Sequence, residues 1–176
     1  FSLLIAVGAT ALSSGIFTYG EPSGRGTGKP NVVFVLIDDL GWADLGCYGS
    51  RYHETPCIDR LAGQGMRFTD AYAACPACSP TRASILTGKY PARLHLTDWI
   101  PGHTPAGSRL QIPDWRKYLP TEEVAIAEIF QSAGYATGHF GKWHLSQLLD
   151  PTQPQPGDQG FDHSLGTTNN ATPSHR

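Results

Sequence analysis

The chain opens with an apolar run, Ser2 to Leu12, closed by small residues Ser13-Ser14-Gly15. It is too short to span a bilayer and reads as the apolar segment of a secretory signal, with a buried strand or helix as the alternative. A Gly/Pro/Ser-rich stretch from Tyr19 to Pro30 has the composition of a linker. Next comes Asn31-Val32-Val33-Phe34-Val35-Leu36-Ile37, continuous, β-branched and ended by Asp38-Asp39. That pattern predicts a strand covered on both faces, as in parallel sheets. Thr55-Pro56 predicts a helix start, with Ile58, Leu61 and Ala62 on one face and a stop at Gly63 or Gly65. Met66 to Tyr72 predicts a short strand. After Pro120, Thr121 is a cap, Glu122 and Glu123 a first turn, and Ile126, Ile129, Phe130 and Ala133 an apolar stripe ending at Gly134. Tyr135 to Phe140 predicts the next strand. Asp150 to Gly160 reads as a loop, and the remainder has little regular pattern. Strands alternating with helices imply an α/β sheet.

Composition narrows the function. The 176 residues carry 40% hydrophobic and 16% charged side chains and a net charge of −2. That suffices for a core and gives no basic surface for nucleic acid. An anionic ligand would need a local site. An export signal would place the protein outside the cytoplasm, and no stable membrane span is expected. The expected organisation is a signal over 1–18, a linker over 19–30 and a domain over 31–176.

Three segments could carry chemistry. Asp38 and Asp39 are adjacent carboxylates at the carboxyl end of a strand, where α/β sheets place ligands. Like charges there favour a cation, and hard oxygens favour Ca²⁺ or Mg²⁺; a solvated turn or a helix cap is the simpler alternative. Cys78-Ser79-Pro80-Thr81-Arg82 leads into a helix stopped by Gly88, which puts Cys78 at its amino end and Arg82 one turn on. A nucleophile beside a guanidinium suits an oxyanion substrate. Cys75-Pro76-Ala77-Cys78 is also a C-x-x-C, readable as a redox pair or half a zinc site, although Cys47 and Cys57 have the wrong spacing for the other half. Lys142 and His144, two apart in an extended segment, face one way and could bind an anion and exchange a proton; such pairs are also common on surfaces.

Taken together, Asp-Asp after a strand, Cys-x-Pro-x-Arg and Gly-Tyr-x-Thr-x-x-x-Gly-Lys-x-His resemble the sulfatase family of the alkaline-phosphatase superfamily. Cys78 to Gly88 is similar to that family's first signature and Gly134 to His144 to its second. The stretch Glu54 to Ala62 is similar too, with Cys57 where Asn is common. The resemblance runs from about Pro30 to Gly166 and corresponds to the first third or so of a typical member. It implies an α/β fold with a mostly parallel central sheet flanked by helices, incomplete at the carboxyl end.

The resemblance also implies a chemistry. Cys78 would be oxidised to Cα-formylglycine by a separate maturation enzyme, and the hydrated aldehyde would attack the sulfur of a sulfate ester. Asp38, Asp39 and the diol derived from Cys78 would bind a divalent cation, Ca²⁺ ahead of Mg²⁺. Arg82 would anchor the diol, Lys142 a sulfate oxygen, and His144 the diol or substrate; Asn169 or Asn170 would also reach the site. The family's remaining metal ligands, a further His and a second Lys have no counterpart before Arg176. Weak metal binding, inactivity and an aggregation-prone sheet edge are therefore expected of these residues alone. A phosphodiesterase or phosphonate monoester hydrolase on the same fold is one alternative, and a non-enzymatic binding protein is another. His95, Trp99, His103, Arg109 and Trp115, between the signatures, could line a sugar pocket or serve as ordinary loop and packing residues.

Overall fold

The computed structural model describes residues 3–9 (backbone only), 28–103, 106–147 and 150–167. Most of the proposed signal and linker, together with Asn169 and Asn170, lies outside the described residues. Two compact units are present, Phe1–Tyr72 and Ala73–Arg176.

In the first unit, β1 (Leu3–Ala9) pairs antiparallel with β2 (Asn31–Ile37), Leu3 opposite Ile37 and Ala9 opposite Asn31. The expected strand therefore forms at the expected residues, but its covering differs from the expectation. Val32, Val33, Phe34 and Val35 remain 42–49% exposed. A strand reads as buried on both faces only if other elements lie over it, and among the described residues its sheet has two strands. Helix α1 (Pro56–Gln64) starts and stops where Thr55-Pro56 and Gly65 predict. Thr55 does not cap it in the usual way; its hydroxyl donates to Asp59 Oδ1 at 2.9 Å and accepts the Gly46 N–H at 2.8 Å. No strand forms over Met66 to Tyr72. The Phe68 carbonyl accepts instead from the Tyr48 hydroxyl, and the apolar side chains Met66, Phe68 and Tyr72 are exposed.

The second unit holds a packed core. Helix α2 (Cys78–Thr87) and the short α3 (Pro91–Leu94) precede a long loop, α4 (Ile126–Ser132), β3 (Gly138–Lys142) and β4 (His163–Thr167). β3 and β4 are parallel, Gly138 opposite His163. Ala83, Leu94, Leu96, Leu119, Trp143 and Leu145 form the core, with Leu86, Trp115 and Phe161 against it. Each fully buried leucine contributes about 1.5–3 kcal/mol.

α4 begins at Ile126, five residues after the cap that the sequence suggests at Thr121. The competing use of Glu123 explains the delay. Its carboxylate pairs with Lys89 and lies 3.8 Å from Arg116, and buried Gln159 donates to the Leu119 and Pro120 carbonyls. Those bonds hold 119–125 out of the helix. Glu128 then caps the helix by accepting the Ala125 N–H at 2.6 Å. β3 likewise starts later than Tyr135, whose ring packs edge-on to Phe130.

Candidate active site

α2 begins at Cys78 itself, preceded by the extended residue Ala77 (φ −105°, ψ 152°). Gly88 stops it at φ 68°, a left-handed position suited to glycine. The amino end is locked by Thr81, whose hydroxyl donates to the Cys75 carbonyl at 2.5 Å. Cys78 is therefore held at a helix start, partly accessible, with Arg82 one turn further on.

Arg82 does more than share a face with Cys78. Its Nη1 donates to the Lys142 carbonyl at 2.5 Å, joining the helix of the first motif to the strand of the second across 60 residues. A charge-assisted bond of this kind fixes both segments. Lys142 closes β3, and Trp143 and His144 follow it into the core, each only 3% exposed.

His144 has a left-handed backbone, φ 56°. Its Nε2 lies 2.6 Å from the Ile100 carbonyl. A carbonyl can only accept, so Nε2 carries the hydrogen and Nδ1 is the acceptor of the neutral ring. The Ile100 N–H in turn donates to Ser79 Oγ at 3.0 Å. One loop residue thus ties the neighbour of Cys78 to His144. The motifs assign no role to Ser79 or Ile100, because that role is a tertiary hydrogen bond.

His139 is a further residue that the motifs alone do not single out. Its ring packs edge-on to Trp143 (5.2 Å between centroids) and Phe161 (5.4 Å). Burial first, and then the Arg82 charge, push its pKa below the ordinary histidine value. A neutral ring beside Arg82 adds no repulsion to the guanidinium.

Asp38 and Asp39 stand in the first unit, in the turn after β2. Asp38 is half-buried and Asp39 exposed, with φ 58° at Asp39. A non-glycine residue rests in that region at a cost, more readily when it is Asp or Asn. The donors present are two hard oxygens, which fit Ca²⁺ or Mg²⁺ in kind. Among the described residues, no group of three or more His, Cys, Asp or Glu side chains is gathered for a metal.

The four cysteines are thiols, Cys75 and Cys78 included. Burial, and then a hydrogen bond and the charge of Asp59, push the Cys47 thiol up, which suits an inert cysteine. No helix among the described residues is long and apolar enough to cross a membrane.

Residues 30–175 match the family model described as Sulfatase. Arylsulfatase A of Homo sapiens is 44% identical over 138 residues, covering 78% of this chain and 25% of that protein. The N-acetylgalactosamine-6-O-sulfatase of Bacteroides thetaiotaomicron is 43% identical over 125 residues, covering 71% and 22%. Among solved structures, Ps i-CgsB in complex with a k-i-k-neocarrahexaose aligns with a TM-score of 0.62 at 37% identity, over 76% of this chain and 27% of that one. The chain thus spans about a quarter of the length of these relatives.

Proposed function

The chain belongs to the sulfatase family, and from that premise we propose that it supplies the nucleophile-bearing part of an enzyme that hydrolyses sulfate monoesters. The observation that carries this reading is the bond from Arg82 to the Lys142 carbonyl, which makes one frame of the two motifs.

In this reading Cys78 is the precursor of formylglycine, made by a separate maturation enzyme, and its hydrated aldehyde supplies an oxygen nucleophile for sulfur. Arg82 orients that group from one turn along α2. Lys142 contributes a cation for a sulfate oxygen, and its place is fixed because its own carbonyl is held by Arg82. His144, with its hydrogen on Nε2, offers Nδ1 as a proton acceptor. Asp38 and Asp39 furnish carboxylate oxygens for a divalent cation, Ca²⁺ ahead of Mg²⁺. Such a cation offsets negative charge on sulfate oxygens and favours the ionised nucleophile. The relatives include proteins named as sulfatases of aryl, steryl and amino-sugar esters, which share the class of bond and differ in the alcohol it releases. Export from the cytoplasm accompanies this reading.

The test is turnover of 4-nitrophenyl sulfate by the longer protein containing these residues, produced with a formylglycine-generating enzyme. We expect Cys78→Ala to lower kcat by at least about 10³-fold. Equal turnover by the variant refutes the assignment. Parallel kinetics on bis(4-nitrophenyl) phosphate address the phosphodiesterase alternative, which gains if that ester has the higher kcat/KM. Stripping with a chelator and restoring with CaCl₂ tests the cation; activity indifferent to both rejects it.

A further inference from the structure

The segment Asp98 to His103 lies outside both motifs, yet it is fastened to each of them. The N–H of Ile100 is held by Ser79, its carbonyl by His144, and its side chain is wholly buried. Adding covalent spacings along Cys78-Ser79 and Ile100-Trp99 to that 3.0 Å bond keeps the Trp99 and Cys78 Cα atoms within about 12 Å. Groups beside Ile100 are thus at the range of a sugar ring attached to a reacting sulfate.

A buttress stiffens the segment from the other side. Lys117 Nζ donates to the Pro101 carbonyl at 3.1 Å and sits 3.2 Å from the centroid of the Trp115 ring. Gly102, at φ 91°, lies so close to that ring that an added Cβ would be 2.5 Å from Trp115 Cζ2. Trp115 is therefore engaged by lysine and by glycine backbone, and its role is packing. Of the aromatic residues that could line a sugar pocket, it is removed.

What the stiffened segment presents is Asp98, Trp99 and His103. The Trp99 indole N–H donates to His103 Nδ1 at 2.9 Å, the two rings edge to face. An Nδ1 that accepts has its hydrogen on Nε2, so the exposed ring offers an N–H donor. The 3.8 Å approach of Asp98 Oδ2 to the same Nδ1 is then no ion pair, since that nitrogen bears no proton. Asp98 Oδ1 accepts the Trp99 backbone N–H at 2.8 Å, which orients the carboxylate and leaves it partly accessible. An indole, an acceptor carboxylate and an imidazole donor thus occupy six consecutive positions.

We propose that Asp98, Trp99 and His103 form the subsite for the alcohol part of the substrate, and that this part is a carbohydrate. The claim rests on the sulfate-ester reading above. The indole packs against the apolar face of a pyranose, Asp98 accepts from its hydroxyls and His103 donates to one. A steroid or simple aryl group would use the indole alone and would desolvate Asp98 with no hydrogen bond in return.

The experiment compares kcat and KM on a panel of sulfated N-acetylhexosamines and galactose disaccharides with those on 4-nitrophenyl sulfate, using the longer, matured protein. For Trp99→Ala, the ratio of kcat/KM on the best saccharide to that on 4-nitrophenyl sulfate is expected to fall by about tenfold or more, mainly through KM. Trp99→Phe restores most of that ratio, and His103→Ala lowers it by a smaller factor. An unchanged ratio in Trp99→Ala overturns the proposal, because a packing role lowers both substrates together. Turnover of 4-nitrophenyl sulfate with none on any saccharide overturns the carbohydrate claim alone. Turnover of neither overturns the sulfate-ester reading, and the subsite with it.

Discussion

Two strands, one in each unit, lead into residues proposed for the chemistry, and their backbones do the same thing there. β2 closes at Ile37 and β3 at Lys142, and two residues later stand Asp39 at φ 58° and His144 at φ 56°. Their support differs. Four consecutive apolar residues of β2 are 42–49% exposed, whereas Trp143, His144, Leu145 and Ser146 are all at or below 3%. His144 is held in its strained conformation by core packing and by Ile100, while Asp39 lies exposed in a turn. Strain persists where surroundings over-determine it. The second unit has built those surroundings from its own described residues.

The largest test of this contrast is packing. Leu145→Ala should destabilise the second unit by about 2–5 kcal/mol. Val33→Ala on the exposed strand should change stability by no more than about 0.5 kcal/mol. Urea unfolding followed by a probe in each unit measures both; equal losses would erase the distinction. Next, Arg82→Ala removes the bond to the Lys142 carbonyl and should cost about 1–3 kcal/mol. It should also lower kcat/KM on 4-nitrophenyl sulfate about 10²-fold or more in the longer protein. Retention of both would mean that the bond organises nothing.

A smaller effect separates the two left-handed residues. Asp39→Gly relieves backbone strain and should raise melting stability by up to about 1–2 kcal/mol. His144→Gly relieves the same strain but loses a buried hydrogen bond and packing, so it should destabilise. Matching signs would contradict the comparison.

The smallest expected effect is a pH dependence at His139. Its folded pKa lies below the ordinary value, so between the two the unfolded chain binds the extra proton. Stability therefore falls as pH drops from about 6.5 towards the lowered value, then levels off. His139→Leu should flatten that part of the profile while leaving stability above pH 7 nearly unchanged. An unaltered acid slope would remove His139 as its source.

Much of the local structure around the candidate site was legible because its signals are local. Cys78 and Arg82 share a helix whose start and Gly88 stop follow from residue types, and Asn31–Ile37 reads as a strand from β-branching alone. The alternation of strands and helices, with the order of the motifs, also carried the fold class. What was not legible depends on distant partners. Glu123 looks like a helix first turn until Lys89 and Arg116 claim it. Met66 to Tyr72 has strand composition, yet Tyr48 takes the Phe68 carbonyl. β4 is mostly polar, with one glycine and one leucine in five residues, and becomes a strand by pairing with β3. Ser79 and Ile100 meet across 21 residues, and nothing in either residue's type announces it.

The central claim is that Cys78, at the start of α2, is the precursor of the nucleophile. The most direct measurement is the intact mass of the peptide containing Cys78 from the longer protein, isolated from its native host. Conversion of thiol to aldehyde predicts a mass lower than the unmodified peptide by about 18 Da, in a form that a hydrazide reagent captures. A peptide with the unmodified thiol mass, from protein that nonetheless turns over sulfate esters, would contradict the account.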